Sequence, residues 1–311
     1  MKIIITGGLG QLGSRLENYL TKIGHDIYVS TSKELNENQK KKNLFKIKAG
    51  EKKSKIIKLL NGFECIIHSA GLNSDECQNN PKLAYKINKD FTSEILECAI
   101  SAGVKTFIYF STAHVYKSPL NGYFDESTIA QNNHPYADSK RNAEELIIKA
   151  HNENKINSII LRLSNCFGYP VGNKLINEKL FINDIINQAL KTNTIKLKSP
   201  SSTIRDFVTI SSLEKTVQII LANDIKLNNP ILNFGSGSSK SILEVAKLIK
   251  KRCKDIYNLN IKIEELNKDK FNSEKLIYSI KKLIDHDLYF ESNFTKEIDN
   301  IIRFVKINEI K

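Results

Sequence analysis

The sequence of 311 residues contains no tryptophan, one methionine and only five cysteines. The cysteines lie far apart without a C-x-x-C pair, which indicates reduced thiols and argues against a disulfide framework or a metal site. No stretch reaches the roughly 18 uninterrupted apolar residues of a membrane-spanning helix. Residues 1–7 are too short for the apolar core of a signal peptide. The sequence therefore predicts a cytoplasmic protein without membrane insertion.

Arginine is also scarce, which bears on the net charge. Lys and Arg number 47 against 34 Asp and Glu, a formal net charge of +13, but only six of the 47 are arginines. Nucleic-acid recognition favours the bidentate fork of arginine over the point charge of lysine. The densest lysine run, from Lys40 to Lys58, contains a single aromatic residue, Phe45. We interpret this run as a solvated surface and expect no nucleic-acid partner.

The remaining composition, 41% hydrophobic and 26% charged, is that of an ordinary globular protein. Short apolar runs alternate with longer segments of helical periodicity, such as residues 83–102 and 136–150. The short runs are continuously apolar, which is typical of parallel strands covered on both faces. The sequence therefore predicts an α/β fold with a doubly wound parallel sheet.

A glycine-rich turn separates the first predicted strand from the first predicted helix. Gly7, Gly10 and Gly13 form a G-x-x-G-x-x-G pattern. Glycines at this place permit a tight turn and the close approach of a pyrophosphate, which the positive end of the helix attracts. The turn predicts a Rossmann-type sheet that binds a dinucleotide.

The end of the second predicted strand bears on the choice between NAD and NADP. In NAD-binding folds a carboxylate there usually binds the ribose 2′-hydroxyl. Here Ser32 and Lys33 offer a hydroxyl and an ammonium that suit the 2′-phosphate of NADP, although Glu34 follows directly. We expect NAD or NADP as the cofactor, with a preference for NADP.

Two pairs of residues predict acid–base chemistry. Tyr136 and Lys140 share one face of a predicted helix, because they are four residues apart. A tyrosine must lose about 3 pKa units to act as a base near neutral pH, and a neighbouring ammonium shifts the pKa in that direction. Ser111 and Thr112 end the fourth predicted strand, at the carboxyl edge where open α/β sheets bind ligands.

With these motifs in this order, the sequence resembles the NAD(P)-dependent epimerase/dehydratase family of nucleotide-sugar enzymes, within the extended short-chain dehydrogenase/reductase superfamily. The resemblance extends over almost the whole chain. It also rests on these shorter motifs: residues 66–72 (IIHSAGL), Pro81 with Asn88, residues 161–168 (LRLSNCFG), residues 205–207 (RDF) and residues 233–237 (NFGSG).

The resemblance implies a role for each matching residue. Tyr136 would exchange a proton with the sugar while a hydride moves to or from the nicotinamide. Lys140 would lower the pKa of Tyr136 and bind the nicotinamide ribose, and Thr112 would hydrogen-bond the reacting oxygen. The residues expected to bind the cofactor, including those after the second strand, are Gly7, Gly10, Gln11, Leu12, Gly13, Ser32, Lys33, Ser69, Ala70, Asn88, Ser111, Tyr136, Lys140 and Leu163.

On the substrate side the resemblance implies Thr112, Asn165 and Arg205. The bidentate fork of Arg205 suits the diphosphate of a nucleotide-sugar substrate, whereas a local ion pair with Asp206 is the alternative. Two roles stay open for Asn165: a contact with the substrate, or an ordinary turn residue at the end of a strand.

Some positions depart from the family pattern. The dehydratase branch has an Asp-Glu pair after the threonine, where this sequence has Ala113 and His114, so we do not expect dehydration. Two roles stay open for His114: an additional acid or base, or a hydrogen-bonded structural histidine. We favour the structural role. Lys117 replaces the glycine that usually follows Tyr116 in the family.

The domain boundaries follow from the looser alternation after residue 165. We expect the Rossmann domain in residues 1–165, with segments near 206–235 added to it. Residues 166–205 and 236–311 are expected to form a smaller C-terminal α/β substrate lobe. The resemblance also implies a possible homodimer through residues 83–102 and 136–150.

Three functions are compatible with these residues. The first is a nucleotide-sugar epimerase of the 4-epimerase type, which passes through a transient 4-keto sugar. The alternative is an NADPH-dependent reductase of a nucleotide-linked 4-keto sugar, which the strand end at Lys33 favours. A non-catalytic NADP-sensing protein is the least favoured, because the Tyr136 and Lys140 pair is intact.

Overall fold

The computed structural model describes residues 1–34, 43–171, 180–223, 225–267, 275–291 and 293–309. Lys40, Lys41 and Lys42 of the lysine run therefore lie outside the described residues, as does part of the C-terminal lobe. Fifteen strands occur in the described part of the chain. In chain order they are β1 (Lys2–Thr6), β2 (Asp26–Thr31), β3 (Leu44–Lys46), β4 (Cys65–His68), β5 (Thr106–Thr112), β6 (Gly122–Phe124), β7 (Asn157–Leu163), β8 (Asn165–Phe167), β9 (Thr194–Leu197), β10 (Ile204–Arg205), β11 (Phe207–Thr209), β12 (Ile231–Phe234), β13 (Lys240–Ser241), β14 (Lys262–Glu265) and β15 (Leu276–Tyr278).

The described residues also form eleven α-helices, a π-helical segment at Tyr85–Asp90 and a 3₁₀ turn at Ala113–Val115. The α-helices are α1 (Gln11–Lys22), α2 (Lys53–Leu60), α3 (Ser74–Asn79), α4 (Pro81–Ala84), α5 (Phe91–Ser101), α6 (Pro135–Asn152), α7 (Phe181–Thr192), α8 (Ile210–Ala222), α9 (Ile242–Tyr257), α10 (Lys281–Asp285) and α11 (Phe294–Glu309).

A central sheet of seven strands has the order β12-β7-β5-β4-β1-β2-β3. β1 pairs in parallel with β2 on one side and with β4 on the other, so the strand order reverses direction between β1 and β4. In open α/β sheets, ligands bind at the carboxyl ends of the strands beside such a reversal. The prediction of a Rossmann-type doubly wound parallel sheet is confirmed.

The strands are continuously apolar because helices cover both faces of the sheet. Ile3, Ile4 and Ile5 of β1 are all fully buried. On one face, Ile4 and Ile66 pack in a cluster with residues of α2, α5 and α6. Burying consecutive residues removes both faces of each strand from water, which explains why the strands lack the alternation of half-exposed sheets.

The chain divides into two compact units. The first comprises Met1–Pro119, Glu126–Leu163 and Gln218–Asn233, and the second comprises Leu120–Asp125, Ser164–Val217 and Phe234–Lys311. The second unit contains its own apolar cluster, with contributions from α7, α9 and α11. The assignment of these units to cofactor and substrate stays a prediction.

The segment predicted as one helix over residues 83–102 consists of three pieces. α4 is followed by the π-helical segment Tyr85–Asp90 and then by α5. A π-helical turn adds a residue to the turn and rotates the side chains that follow, and such turns are frequent at functional sites. The π-helical segment contains Asn88, one of the predicted cofactor residues. Within the described residues, no helix is both long and apolar enough to cross a bilayer.

Candidate active site

The glycine turn after β1 is packed so closely that side chains are excluded. Gly7 has φ +66°, and a Cβ built there would lie 2.8 Å from the backbone N of Ala70. A Cβ on Gly13 would lie 2.6 Å from the carbonyl oxygen of Gly7. Gly10 caps α1 without a side chain, so the first turn of the helix, with Gln11 and Leu12, is not covered by a capping group. This cradle fits the pyrophosphate of a dinucleotide, which the helix N-terminus attracts.

The end of β4 lies against the same turn. The backbone N–H of Ser69 donates to the carbonyl of Thr6 at 3.3 Å, and that of Ala70 donates to the Thr6 hydroxyl at 3.3 Å. Ser69 and Ala70 are thus held next to the glycine turn, where the sequence predicted them.

The residues after β2 are exposed at the neighbouring strand end. Ser32, Lys33 and Glu34 are all exposed, and the carboxylate of Glu34 pairs with the ammonium of Lys46. The backbone N–H of Lys33 donates to the hydroxyl of Thr31. The ion pair thus engages the one acidic side chain among the described residues 32–34.

The three predicted catalytic residues come from β5 and α6, both in the first unit. Pro135 occupies the first position of α6, where its missing N–H costs no hydrogen bond, and Nδ1 of His134 accepts from the backbone N–H of Tyr136. Tyr136 is thus the second residue of the helix, and its phenol is hydrogen-bonded to the side chain of Thr112. The Thr112 oxygen also accepts from the backbone N–H of His114 at 3.2 Å, which leaves its one proton for an oxygen in the site.

The pKa of Tyr136 does not move in the direction predicted from Lys140. Burial raises the pKa of the phenol, and the hydrogen bond from Thr112 opposes that rise. Instead of the phenol, the Lys140 ammonium contacts the carbonyl oxygen of Phe110 at 3.0 Å. Burial is therefore the largest influence on the pKa of this phenol, and the expected lowering is absent.

Lys140 is itself buried, with 6% of its surface exposed. Burial lowers its pKa to about 8, while Cys77 and Glu144 act in the opposite direction. Its ammonium also lies 4.9 Å from the ring centroid of Tyr109. A Cβ on Gly71 would lie 3.1 Å from this ammonium and 3.0 Å from Oδ1 of Asn88, so the glycine makes room for both polar groups.

The other predicted cofactor residues lie around this pair. Asn88 is fully buried; its Oδ1 accepts from the N–H of Leu72 at 2.8 Å and its Nδ2 donates to Ser139 at 3.1 Å. The Ser111 hydroxyl is buried next to Thr112 and has no hydrogen-bond partner among the described residues. Leu163 is the register partner of Thr112 on β7. A buried hydroxyl without a partner fits a ligand that supplies the missing hydrogen bond.

The predicted substrate residues Asn165 and Arg205 lie in the second unit. The side-chain amide of Asn165 donates to the carbonyl of Asp206 at 2.8 Å, and Arg205 stacks over the ring of Phe181 at 5.4 Å. Burial lowers the pKa of the Arg205 guanidinium. The Asp206 carboxylate accepts hydrogen bonds from Ser164 and Ser236.

Sequence reasoning missed a buried ion pair behind the catalytic helix. Arg162 of β7 donates to Glu144 of α6 through Nε and Nη2, at 3.0 and 2.6 Å, and its guanidinium lies 4.8 Å from the Tyr116 ring. Glu144 is four residues after Lys140 and eight after Tyr136, so this spacing was a signal in the sequence that all three share one helix face. The pair fixes the rotation of the helix face that carries the catalytic residues.

His68 was also missed. It is fully buried at the end of β4 and hydrogen-bonded through both ring nitrogens. Its signal in the sequence was a lone polar residue at the end of an apolar strand, next to the predicted cofactor residues Ser69 and Ala70.

Comparison with known proteins identifies the family. The sequence pattern of the NAD dependent epimerase/dehydratase family matches residues 3–235. The chain belongs to this family. Its members are sugar-nucleotide epimerases and dehydratases, so the prediction of an NAD(P)-dependent sugar-nucleotide enzyme is confirmed.

Two relatives of this family member are named as epimerases. The ADP-L-glycero-D-manno-heptose-6-epimerase of Brachyspira hyodysenteriae is 30% identical over 264 residues, which cover 80% of each chain. A putative UDP-glucose 4-epimerase of Methanocaldococcus jannaschii is 28% identical over 258 residues, which cover 80% of this chain and 81% of that protein.

Solved structures show the same fold. A UDP-N-acetylglucosamine 4-epimerase from Methanobrevibacter ruminantium, in complex with UDP-N-acetylmuramic acid, superimposes with a TM-score of 0.80 at 20% identity, over 98% of each chain. The UDP-glucose 4-epimerase of Thermus thermophilus, in complex with NAD, gives a TM-score of 0.79 at 19% identity, over 98% of this chain and 99% of that one.

Proposed function

We propose that this enzyme is an NAD(P)-dependent nucleotide-sugar epimerase of the 4-epimerase type, which passes through a transient 4-keto sugar. The observation that carries the proposal is the cluster of Thr112, Tyr136 and Lys140 at the carboxyl ends of the strands. Relatives named as epimerases, which match over about four fifths of the chain, support epimerisation, and the putative UDP-glucose 4-epimerase among them supports a reaction at carbon 4.

A bound dinucleotide supplies a nicotinamide ring that takes a hydride from the sugar carbon and later returns it. In its phenolate form, Tyr136 accepts the proton of the sugar hydroxyl as the carbon loses its hydride. It gives the proton back when the ketone has turned and the hydride returns to its opposite face. When substrate is bound, the Thr112 hydroxyl turns its proton from Tyr136 to the reacting oxygen. Lys140, protonated below its pKa of about 8, holds the nicotinamide ribose.

The remaining predicted residues bind the two ligands. The glycine turn with Gln11 and Leu12 holds the cofactor pyrophosphate, because its backbone permits close approach. The orphan hydroxyl of Ser111 and the Asn88 amide line the nicotinamide side. Arg205 binds the diphosphate of the sugar nucleotide and Asn165 contacts the sugar. We also propose that the enzyme forms a homodimer through α5 and α6, which sedimentation velocity tests.

A second candidate is an NADPH-dependent reductase of a nucleotide-linked 4-keto sugar. The specific observation that favours it is the exposed Lys33 after β2, together with the ion pair that occupies Glu34. An exposed ammonium at this place suits the 2′-phosphate of NADP, and a reductase consumes free NADPH. We do not propose dehydration, because Ala113 and His114 stand where the dehydratase carboxylates would be.

One experiment separates the two candidates. The dinucleotide that co-purifies with the protein is identified by absorbance and chromatography, and the protein is then incubated with UDP-glucose, UDP-N-acetylglucosamine or ADP-linked heptose. Retained NAD and an inverted carbon in the product, detected by NMR, support the epimerase. An empty protein that oxidises NADPH only in the presence of a nucleotide-linked keto sugar supports the reductase. If the protein catalyses neither reaction with any of these nucleotide sugars, both candidate functions are overturned.

The choice between NADP and NAD is tested separately at Lys33. Lys33→Glu is expected to weaken binding of NADP about tenfold or more relative to NAD, because it removes the cation and adds a like charge against the 2′-phosphate. Lys48→Glu, on a lysine beyond β3, is the matched control. Equal affinities for both dinucleotides in the wild-type protein and in Lys33→Glu would contradict the NADP preference.

A further inference from the structure

The buried histidine of the first unit takes no part in the mechanism above. His68 ends β4 with no exposed surface. Its Nδ1 lies 2.8 Å from the hydroxyl oxygen of Thr6, and its Nε2 lies 2.9 Å from that of Thr92. Thr6 directly precedes the glycine turn, and Thr92 is the second residue of α5, which follows the π-helical segment of Asn88. The imidazole therefore connects two elements that line the proposed cofactor cleft.

The hydrogen bonds determine which ring nitrogen carries the proton. The Thr92 hydroxyl gives its single proton to the carbonyl of Asn88 at 2.8 Å, so toward His68 it can only accept. Nε2 must then be the protonated nitrogen. The bare Nδ1 accepts the proton of the Thr6 hydroxyl, and the Thr6 oxygen accepts the N–H of Ala70. Burial, and then the nearby Lys140, lower the pKa of His68 to about 3, so the ring is neutral.

The chain of hydrogen bonds continues beyond Asn88 to the catalytic helix. The Asn88 amide Nδ2 donates to the Ser139 hydroxyl at 3.1 Å, and that hydroxyl donates to the carbonyl of Tyr136 at 3.1 Å. Each hydroxyl in the series accepts one hydrogen bond and donates one. All donors point the same way, from Ala70 beside the glycine turn to Tyr136 at the start of α6. A buried network in which each of these three hydroxyls both accepts and donates holds its members in one arrangement.

We propose that His68 is a positioning residue, a neutral imidazole protonated on Nε2. Its Nδ1 holds the glycine turn through Thr6, and its Nε2 holds, through Thr92, the π-helical segment of Asn88, which in turn contacts Ser139 of α6. This inference rests on the proposed function for its effect on dinucleotide binding and turnover. The tautomer itself does not depend on that function.

Two substitutions separate the roles of the two nitrogens. The side-chain amide of Asn lies near the place of Nδ1, and that of Gln lies near the place of Nε2. His68→Asn keeps an acceptor for Thr6 but loses the donor to Thr92. His68→Gln keeps a donor to Thr92 but loses the acceptor for Thr6. Thr92→Val removes the same hydrogen bond between residues 68 and 92 as His68→Asn does, whereas Thr92→Ser retains the hydroxyl.

The first measurement is the nitrogen–proton correlation NMR spectrum of the imidazole groups in the wild-type protein. The expected result is one histidine with a proton on Nε2 and none on Nδ1, whose signals do not titrate between about pH 5 and pH 8. These signals are assigned by their loss in His68→Gln. A proton on Nδ1, or titration in this range, would overturn the inference and leave the proposed function intact.

The second measurement compares the dissociation constants of NAD and NADP with turnover at saturating cofactor. His68→Gln is expected to raise the dissociation constant about tenfold with a smaller effect on turnover, since it loses the hydrogen bond on the side of the glycine turn. His68→Asn and Thr92→Val are expected to lower turnover about tenfold with little change in the dissociation constant, and Thr92→Ser to restore it. His286→Gln, at an exposed position, is the matched control.

A purely structural role predicts a different result. It would lower the thermal stability of all the variants and leave the dissociation constant and turnover unchanged, or move both by the same factor; either outcome overturns the positioning role. A wild-type protein that shows the expected tautomer but binds neither dinucleotide would overturn the proposed function instead. The two failures are therefore distinguishable.

Discussion

The ammonium of Lys140 donates a hydrogen bond of 3.0 Å to the carbonyl oxygen of Phe110. Phe110 lies on β5 two residues before Thr112, so this contact ties the start of α6 to the strand that carries the third catalytic residue. Because Lys140 is directed to a neutral carbonyl and is buried, its charge is poorly stabilised and its pKa falls to about 8. This value places the loss of its proton about one pH unit above neutrality.

Lys140 is expected to make dinucleotide binding depend on pH. The protonated ammonium holds the ribose, so the dissociation constant should be lowest below about pH 8 and rise with pH by up to about tenfold per unit above it. Lys140→Met should remove this dependence and bind weakly at every pH. Titration of the dissociation constant by fluorescence tests this, with Lys149→Met, an exposed lysine of the same helix, as the control. A pH-independent wild-type constant would contradict the assignment.

Tyr136→Phe is expected to lower turnover by about 10²–10⁴-fold, the usual contribution of a positioned acid or base. Dinucleotide binding should be retained, because the phenyl ring keeps the packing and removes only the hydroxyl. Turnover and the dissociation constant are measured side by side, with the exposed Tyr123→Phe as the control. A variant with nearly full turnover would show that another group moves the proton.

Gly7 and Gly24 provide a matched pair for the glycine turn. Both have positive φ, but a Cβ on Gly7 would meet the backbone of Ala70 at 2.8 Å, whereas one on Gly24 meets nothing within 4 Å. Gly24→Ala should lower the free energy of unfolding by about 1–2 kcal/mol, the cost of the left-handed conformation alone. Gly7→Ala should cost about 1–3 kcal/mol more and abolish dinucleotide binding. Denaturant unfolding measures both; equal losses would argue against the close packing of the turn.

The buried Glu144 is expected to matter far more for stability than exposed carboxylates. Glu144→Ala leaves the guanidinium of Arg162 buried without its partner, and the free energy of unfolding should fall by about 3–5 kcal/mol. Asp285→Ala breaks the pair with Lys281, whose side chains are 77% and 52% exposed, and should change it by less than about 0.5 kcal/mol. Chemical denaturation of both variants is the test. Similar small losses would show that the buried pair contributes little.

His68 is expected to make the protein sensitive to acid. Its pKa is about 3 in the folded protein against an ordinary 6.5, so between these values the unfolded chain binds a proton that the folded chain does not. The contribution of His68 to the free energy of unfolding is fully present above pH 6.5. It is lost as the pH falls toward 3, by about 1.4 kcal/mol per pH unit. The free energy of unfolding of His68→Gln should therefore fall less steeply than that of the wild type. Urea unfolding at several pH values measures the two slopes; equal slopes would contradict the buried neutral ring.

Local patterns were sufficient for much of the fold and for several site residues. The strands were recognisable because burial on both faces requires continuous apolar residues, as in Ile3, Ile4 and Ile5. The glycine turn and the shared face of Tyr136 and Lys140 depend only on neighbours in the sequence and on helix periodicity. The π-helical segment was not recognisable from the sequence. One added residue hardly changes the helical spacing of apolar residues over the whole range 83–102.

Long-range contacts decided the rest. Thr6 and His68 are 62 positions apart, and Arg162 and Glu144 are 18 apart, so no local pattern pairs them. The pKa of Tyr136 illustrates the same point: helix spacing places an ammonium on its face, but only the folded chain shows that this ammonium turns to Phe110 and that burial raises the pKa. Charge and spacing are properties of the chain, whereas desolvation and hydrogen-bond direction arise only when distant segments enclose a group and exclude water.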